Sequence, residues 1–569
     1  MAAILTGASW VLWAFALIRV NTSGLNIGGF GLAGSLPPAF YVACVTLSLA
    51  FIINLGTPGE GRWRDLLFVC QIALLIAFLF VTPALVEAFP RFRTTYKVWG
   101  LTDLVTRAAA INPAVNVLFN WPSVWALFSA VFQVALPSTA TQTVFVKYYA
   151  PFMEVAYGVA LYALYRGFLS KKQAYLGIFL FYIMNYVGQD YLSPESVAYL
   201  LFLAFLGLTF VYIIRAPSQK IRYPSVAVAS LLFIIFLSLV VTHFLTSFAL
   251  LMFFIVLALS SRIVAKVRLD RFVVPYVVGF VGWMLFGSAA YFNYMVNRQS
   301  ATPVSESLST QTQVGVTGGV TGGVTGGTGG VSGIGGSVTH AFIANVGIVF
   351  GVFAAAIVGI WFLYRFASTR RLEKMDAAFL ALLVGITWIL LLPGYDGELW
   401  FRGFLLALPA LIYYLVKNVS FRVVKVAAVV ILLAGPMLHV LVAYGNESFD
   451  YVSPAEISSY NFFYQTVSSA SVYGAYPVAN WLNEQNYTGG NLLQLVALLD
   501  RGPPNDSVRL QLVKGGPSYI FFTPGDYATI QTLYAPRLNE YLRAENTTAN
   551  APYFNLVYSS NGVQLYEVT

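Results

Sequence analysis

Apolar runs of spanning length recur along the chain from its first residues to about position 444, separated by short polar connections, and then stop. An α-helix needs about 20 predominantly apolar residues to cross the hydrocarbon core of a bilayer. The pattern therefore predicts a polytopic α-helical membrane protein with thirteen spans. They fall at roughly residues 5–20, 38–55, 66–86, 150–168, 173–188, 197–214, 223–242, 245–261, 273–292, 341–365, 375–393, 402–416 and 424–444. One further apolar stretch, Trp121 to Leu136, is too short to span and would invert every basic loop on one side of it. It reads as a helix lying in the outer interface or dipping into the membrane, with Trp121 and Trp125 at the headgroup boundary.

Two other regions lack the spanning pattern. Residues 293–340 carry VTGGVTGGVTGGTGG, which has no apolar periodicity and reads as a flexible external loop. No strand precedes this repeat and no Lys-Ser/Thr follows it, so a phosphate-cradling loop is not supported. From residue 445 to 569 the pattern changes to alternating helix-like and strand-like pieces, predicting a small α/β domain. VANWLNEQN reads as the end of an amphipathic helix, and PSYIFFTPGDY as a buried strand leaving through a Pro-Gly turn. FNLVYSSNGVQLYEV reads as two strands joined at Asn561-Gly562. The domain division is then a membrane domain over 1–444, containing an external loop with in-plane helices at 87–149, and an extracytoplasmic domain over 445–569.

Composition agrees with this class, since 58% of residues are hydrophobic and only 10% charged. The net charge of +9 would suggest nucleic acid in a soluble domain, but the basic residues sit between spans, where topology and anionic lipid explain them. Six short loops hold nineteen of the thirty-two Lys and Arg residues, and all six can lie on one side. Lys and Arg are retained in cytoplasmic loops, which orients the chain in a plasma membrane with its N-terminus inside and the tail outside. Cys44 and Cys70 both fall in apolar segments, excluding a disulfide framework or zinc cluster. The sequons at Asn446, Asn486, Asn505 and Asn546 are candidate N-glycosylation sites on an external tail, whereas Asn418, in a basic loop, stays unmodified.

With orientation assigned, the unusual polar residues collect on the outer face. The loop after the third span contains Arg91, Arg93, Lys97 and Asp103. The next outer connection, QDYLSPES, holds Asp190 and Glu195; HFLTSF begins with His243; GYDGELWFRG supplies Asp396, Glu398 and Arg402. Some have simple structural uses. Ser193 can cap the next helix with Glu195 in its first turn, Asp396 and Glu398 can pair with Arg402, His243 can bond to backbone, and Asp103 can lie on a solvated helix face. Their chemistry also fits glycosyl transfer from a polyprenyl phosphate. A carboxylate takes the acceptor's proton, and cations hold the departing phosphate as its charge grows. Asp103 or Asp190 fits the base, or an oxygen ligand of a divalent cation such as Mg or Mn; Arg93, Arg402 and His243 fit the phosphate. Glu195, Asp396 and Glu398 would support them. Ionisable groups in mid-span or paired broken helices, which a transporter would show, are not evident.

Several segments in order, GLNIGGFGLAGSLPPAFYVA, PRFRTTYKVWGLTDLVTRAAAINP with FNWPSVWAL, NYVGQDYLSPESVAYLLFL, HFLTSF and ELWFRGFLLALP, resemble bacterial and archaeal polytopic membrane proteins described as GT-C-like glycosyltransferases. The resemblance covers most of residues 24 to 415. It implies a GT-C membrane fold with in-plane helices in its first large external loop and a polyprenyl-phosphate-linked sugar as donor. The chain departs from the usual GT-C enzyme in having no carboxylate at residues 21–37, in having Asp103 as the only Asp of its long loop, and in lacking a Trp-Trp-Asp signature. The sequence thus predicts a membrane glycosyltransferase acting on a glycan or protein acceptor at the outer face. A non-catalytic glycan-assembly component and a lipid-linked glycan flippase are the alternatives.

Overall fold

The computed structural model describes residues 1–20, 30–59, 61–113, 116–187, 190–215, 226–264, 270–289, 291, 338–369, 373–392, 398–420, 422–445, 450–474, 487–490, 496, 499, 506–513, 516–534 and 537–569. Each apolar run carries a helix. These are Ala2–Arg19, Pro38–Gly56, Arg62–Val86, Thr139–Arg166, Lys171–Met184, Pro194–Leu208, Val226–Val240, Phe244–Val264, Asp270–Gly282, Val338–Thr369, Lys374–Thr387, Glu398–Lys417 and Arg422–Tyr444. Among the described residues five helices are long and apolar enough to cross a membrane: Ala2–Arg19, Pro38–Gly56, Arg62–Val86, Pro194–Tyr212 and Arg422–Tyr444. The Gly-rich repeat lies outside the described residues.

Local sequence sets two helix ends beside the long polar loop. The run expected from residue 150 begins eleven residues earlier, because Ser138 and Thr141 form a reciprocal capping box that starts the helix at Thr139. Its 28 residues rise about 42 Å, and Lys147 lies in the added N-terminal part, ahead of the expected run. The Arg62–Val86 helix contains a π-helical stretch at Ala77–Val81, one turn before Glu87. Such a stretch re-aims the side chains after it. The apolar segment around Trp125 forms the Pro122–Ala135 helix, 14 residues long, which packs on the Arg93–Ala108 helix. At about 21 Å it falls short of the bilayer core.

Polar contacts group the basic loops. Lys171 pairs with Asp65, and Lys172 Nζ donates to the Thr57 carbonyl at 2.9 Å. Lys417 Nζ bonds both Glu373, at 2.7 Å, and Asp376, at 2.6 Å. Helix packing elsewhere relies on small residues. A Cβ on Gly385 would lie 2.6 Å from the backbone of Phe253, so the Lys374–Thr387 and Phe244–Val264 helices meet at a point where only glycine fits. Gly385→Ala is expected to cost about 1–3 kcal/mol through overpacking, read as a lowered melting temperature in detergent, while Gly282→Ala, in open space, changes it little.

The tail is an α/β domain with a five-stranded sheet in the order β2-β1-β3-β5-β4, where β1 is Ala470–Tyr473, β2 Tyr487–Gly490, β3 Ser518–Phe522, β4 Phe554–Ser560 and β5 Val563–Val568. β1 pairs parallel with β2 and β3, and β5 pairs antiparallel with β3 and β4. The β4–β5 hairpin closes at Asn561 and Gly562, whose φ angles of 45° and 82° suit the two-residue turn that the Asn-Gly pair predicts. Strand alternation splits β3 between two cores. Phe521 and Leu565 join the core continuous with the apolar helices, whereas Ile520, Phe522 and Tyr566 pack against the tail's own helices.

One expectation fails here. Pro524-Gly525 is not a turn but the first residues of the helix Pro524–Leu533, because Thr523 Oγ1 accepts from the Asp526 amide at 3.0 Å and proline suits the first helical position. The helix end expected in VANWLNEQN lies outside the described residues.

Candidate functional site

The chain turns sharply where the Arg62–Val86 helix gives way to the Arg93–Ala108 helix. Phe92, which caps the second helix, has φ 66° and ψ 111°, a left-handed backbone that costs an aromatic residue about 1–3 kcal/mol. Phe92 is held by Tyr191, with ring centroids 5.3 Å apart, and by Arg91, whose guanidinium sits 4.5 Å from its ring. Arg91 and Arg93 on either side of it have different partners.

Arg91 enters a cleft. Its guanidinium lies 4.1 Å from the ring of Tyr444, its Nη2 donates to the Ala443 carbonyl at 3.4 Å, and its Nε is 4.0 Å from Glu87. The cleft is lined by Glu87, Arg91, Phe92, Thr95, Lys147, Asn185, Asp190, Tyr191, His439 and Tyr444, together with apolar residues. It encloses about 40 Å³, room for a few waters. Asp190 is buried in its wall. Burial raises the Asp190 carboxyl to about 6, against the pull of its own backbone amide and of Arg91. Behind the wall, Glu154 accepts a bond from Asn185 Nδ2 at 2.7 Å and is fully buried. His439, also in the lining, has its Nδ1 3.2 Å from the Ile183 carbonyl.

Arg93 faces the tail instead. Its Nη2 lies 3.7 Å from Glu456 and its Nη1 3.8 Å from Asp526, with all three side chains at most 3% exposed. Both acids are the third residue of a helix in the tail and also serve its start. Glu456 Oε2 accepts from the Ser453 amide at 2.8 Å, and Asp526 Oδ2 accepts from Thr523 Oγ1 at 3.0 Å. Burial works against the charged form of Arg93, but Glu456 and Asp526 outweigh it and hold the guanidinium protonated. A Cβ on Gly525 would collide with Arg93 Nη2, so glycine is what lets the guanidinium in.

The other sequence-derived candidates fall elsewhere. Arg402 Nη1 pairs with Glu195 at 2.9 Å, and Ser193 caps the Pro194–Leu208 helix by accepting from the Ser196 amide at 3.1 Å. His243 lies near Arg402, and its Nδ1 accepts from the Thr246 amide at 3.4 Å, capping the helix that starts at Phe244. Burial, assisted by the charge of Arg402, lowers His243 to about 3, so its ring is neutral. Asp103 pairs with Arg107 at 2.9 Å on a half-exposed helix face. Asp396 lies outside the described residues, as does the Glu398 side chain. Of the sequons, Asn546 is exposed on the Leu538–Asn550 helix, while Asn446, Asn486 and Asn505 lie outside the described residues.

Of the four residues Asp103, Asp190, His243 and Arg402, only Asp190 is in the lining of this cleft. Asp190 joins Arg91, Lys147 and Glu87, to which the sequence pattern assigns no role. Glu154 and His439 were missed although a buried ionisable group inside an apolar run is the usual signal of function.

No protein-family model and no curated protein matches the chain. Among solved structures it is similar to the oligosaccharyltransferase of Archaeoglobus fulgidus tethered through a disulfide bond to an acceptor peptide containing the NVT sequon. That similarity has 12% identity and a TM-score of 0.49, covering 89% of this chain and 74% of that one. The same enzyme in complex with Zn and sulfate gives 12% identity, a TM-score of 0.46 and coverage of 88% and 72%.

Proposed function

We propose that this chain is a membrane glycosyltransferase of GT-C type, transferring a sugar from a polyprenyl-phosphate-linked donor to a glycan or protein acceptor at the extracytoplasmic face. The observation that carries this reading is the cleft in which a buried Asp190, with its pKa raised to about 6, stands beside the cations of Arg91 and Lys147. The basic loops at the opposite ends of the helices support an outward-facing cleft. A donor reaching an outward cleft is lipid-linked, because nucleotide sugars are not expected outside the cell.

At neutral pH Asp190 is ionised, yet more basic than an ordinary carboxylate, which suits it to take the acceptor's proton. The new bond to the anomeric carbon forms as the bond to phosphate breaks, and the phosphate leaves with the electron pair. Arg91 and Lys147 meet that growing charge, the former through its guanidinium fork. Arg93, Arg402 and His243, whose partners lie elsewhere, yield the phosphate role to them. A Mg or Mn ion, if bound, would find its carboxylate donor in Glu87, which lines the same cleft, leaving Asp190 free to act as base. Among the described residues no group of three or more His, Cys, Asp or Glu side chains is arranged to hold a metal ion.

The phosphate assignment is tested by binding of undecaprenyl phosphate to the full chain in nanodiscs. Arg91→Ala and Lys147→Ala are each expected to weaken it about tenfold or more, the worth of one charge-assisted hydrogen bond, and Arg107→Ala to leave it unchanged. Equal binding by all four proteins overturns the assignment.

A further inference from the structure

His439, in the lining of the cleft, has a tautomer set by its partner and a second ring nitrogen that is not used. A carbonyl oxygen can only accept, so the 3.2 Å contact with Ile183 puts the ring proton on Nδ1. Nε2 then carries a lone pair. It is buried and has no hydrogen-bond partner in the protein, although the ring lines the cleft and is held edge-on to Phe80, with centroids 5.3 Å apart. Leaving a buried acceptor unmet costs about 1–3 kcal/mol, and the cost disappears when something in the cleft donates to it.

The chemistry of that partner is restricted. A phosphate oxygen brings lone pairs toward a lone pair and is repelled. A second proton on the ring would place a charge on a side chain that is only 1% exposed, which is unfavourable. A metal lacks the additional ligands among the described residues. A neutral O–H donor fits. We infer that His439 Nε2 accepts a hydrogen bond from an ordered water, for which the cleft has room, and that this water links it to a hydroxyl of the bound sugar. His439 is thus a specificity-determining residue for the sugar, while Arg91 and Lys147 in the same cleft take the phosphate. This rests on the reading of the cleft as a glycosyl-transfer site and adds a residue that recognises the sugar.

Sites built to bond a substrate hydroxyl lose much of their rate when that bond is removed. The test uses membrane vesicles of the native host, which carry their own donor and acceptor, with transfer read on the labelled product. His439→Asn keeps an N–H for the Ile183 carbonyl but has nothing at the position of Nε2, and its transfer is expected to fall about a hundredfold. His439→Leu falls at least as far. His439→Gln, whose longer amide carries an oxygen toward that position, is expected to stay within about tenfold of wild type. Gln as inactive as Leu, or Asn as active as wild type, overturns the inference; comparison at equal protein level keeps a folding loss in Leu from deciding it. Asp190→Asn in the same vesicles separates the two claims. If it transfers normally, the reading of the cleft fails; if it is dead while His439→Asn is active, only the role of His439 fails.

Discussion

Replacing Arg93 by Met is expected to release the tail from the Arg93–Ala108 helix and to cost about 3–5 kcal/mol, because it strands two buried carboxylates. Glu456 and Asp526 are each about 1% exposed and lie within 4 Å of that guanidinium. Their other oxygens are already used in starting tail helices, so neither can turn to solvent without uncapping a helix. The checks are limited proteolysis near residue 450 and thermal unfolding of the full chain. Gly525→Ala should reproduce the loss from the other side, since its Cβ takes the space of Arg93 Nη2. Unchanged proteolysis and melting in both variants would show that the tail is held by apolar contact alone. The same lock bears on the cleft, because Phe92 ties the two arginines together and Thr95, two residues beyond Arg93, lines the cleft wall.

Asp190→Asn should raise stability while it removes activity. Burial lifts the folded-state pKa of Asp190 from 3.8 to about 6, so the folded protein holds this proton more tightly than the unfolded chain. Stability therefore falls as pH rises from about 4 to about 6 and stays reduced above that. A shift of this size corresponds to up to about 3 kcal/mol. Asn carries no charge to bury, so the variant's gain in melting temperature should be small at pH 4 and greatest at pH 7 and above. A gain that does not change with pH would contradict the assigned shift. Burying a charge at a cost to stability is how an active-site carboxylate reaches a pKa suited to proton transfer.

Much of the helical scaffold was legible because each apolar run has one solution in an apolar layer, a helix that satisfies its own backbone. The Ser193 cap and the Asn561-Gly562 hairpin were legible because both depend on neighbours in sequence. Pro524-Gly525 misled because Thr-Pro-Gly-Asp is also a helix start, and the cap outweighed the turn. The site was only partly readable. Asp190 stood out at a span end without an obvious local use, but choosing Arg91 over Arg93 requires the backbone of Phe92, which no pattern of residue types reveals. The partners of Arg93 lie far along the chain in the tail. Glu154 and His439 stood in plain view inside apolar runs, but their partners Asn185 and the Ile183 carbonyl lie on another helix end.

The central claim is that the cleft around Asp190 transfers sugar, and the most direct measurement is transfer by native-host membrane vesicles carrying Asp190→Asn or Asp103→Asn at wild-type protein level. Asp190→Asn is expected to lose at least a hundredfold in rate, the usual contribution of a general base, whereas Asp103→Asn, whose partner is Arg107 on a half-exposed face, keeps wild-type transfer. Normal transfer by Asp190→Asn would contradict the account.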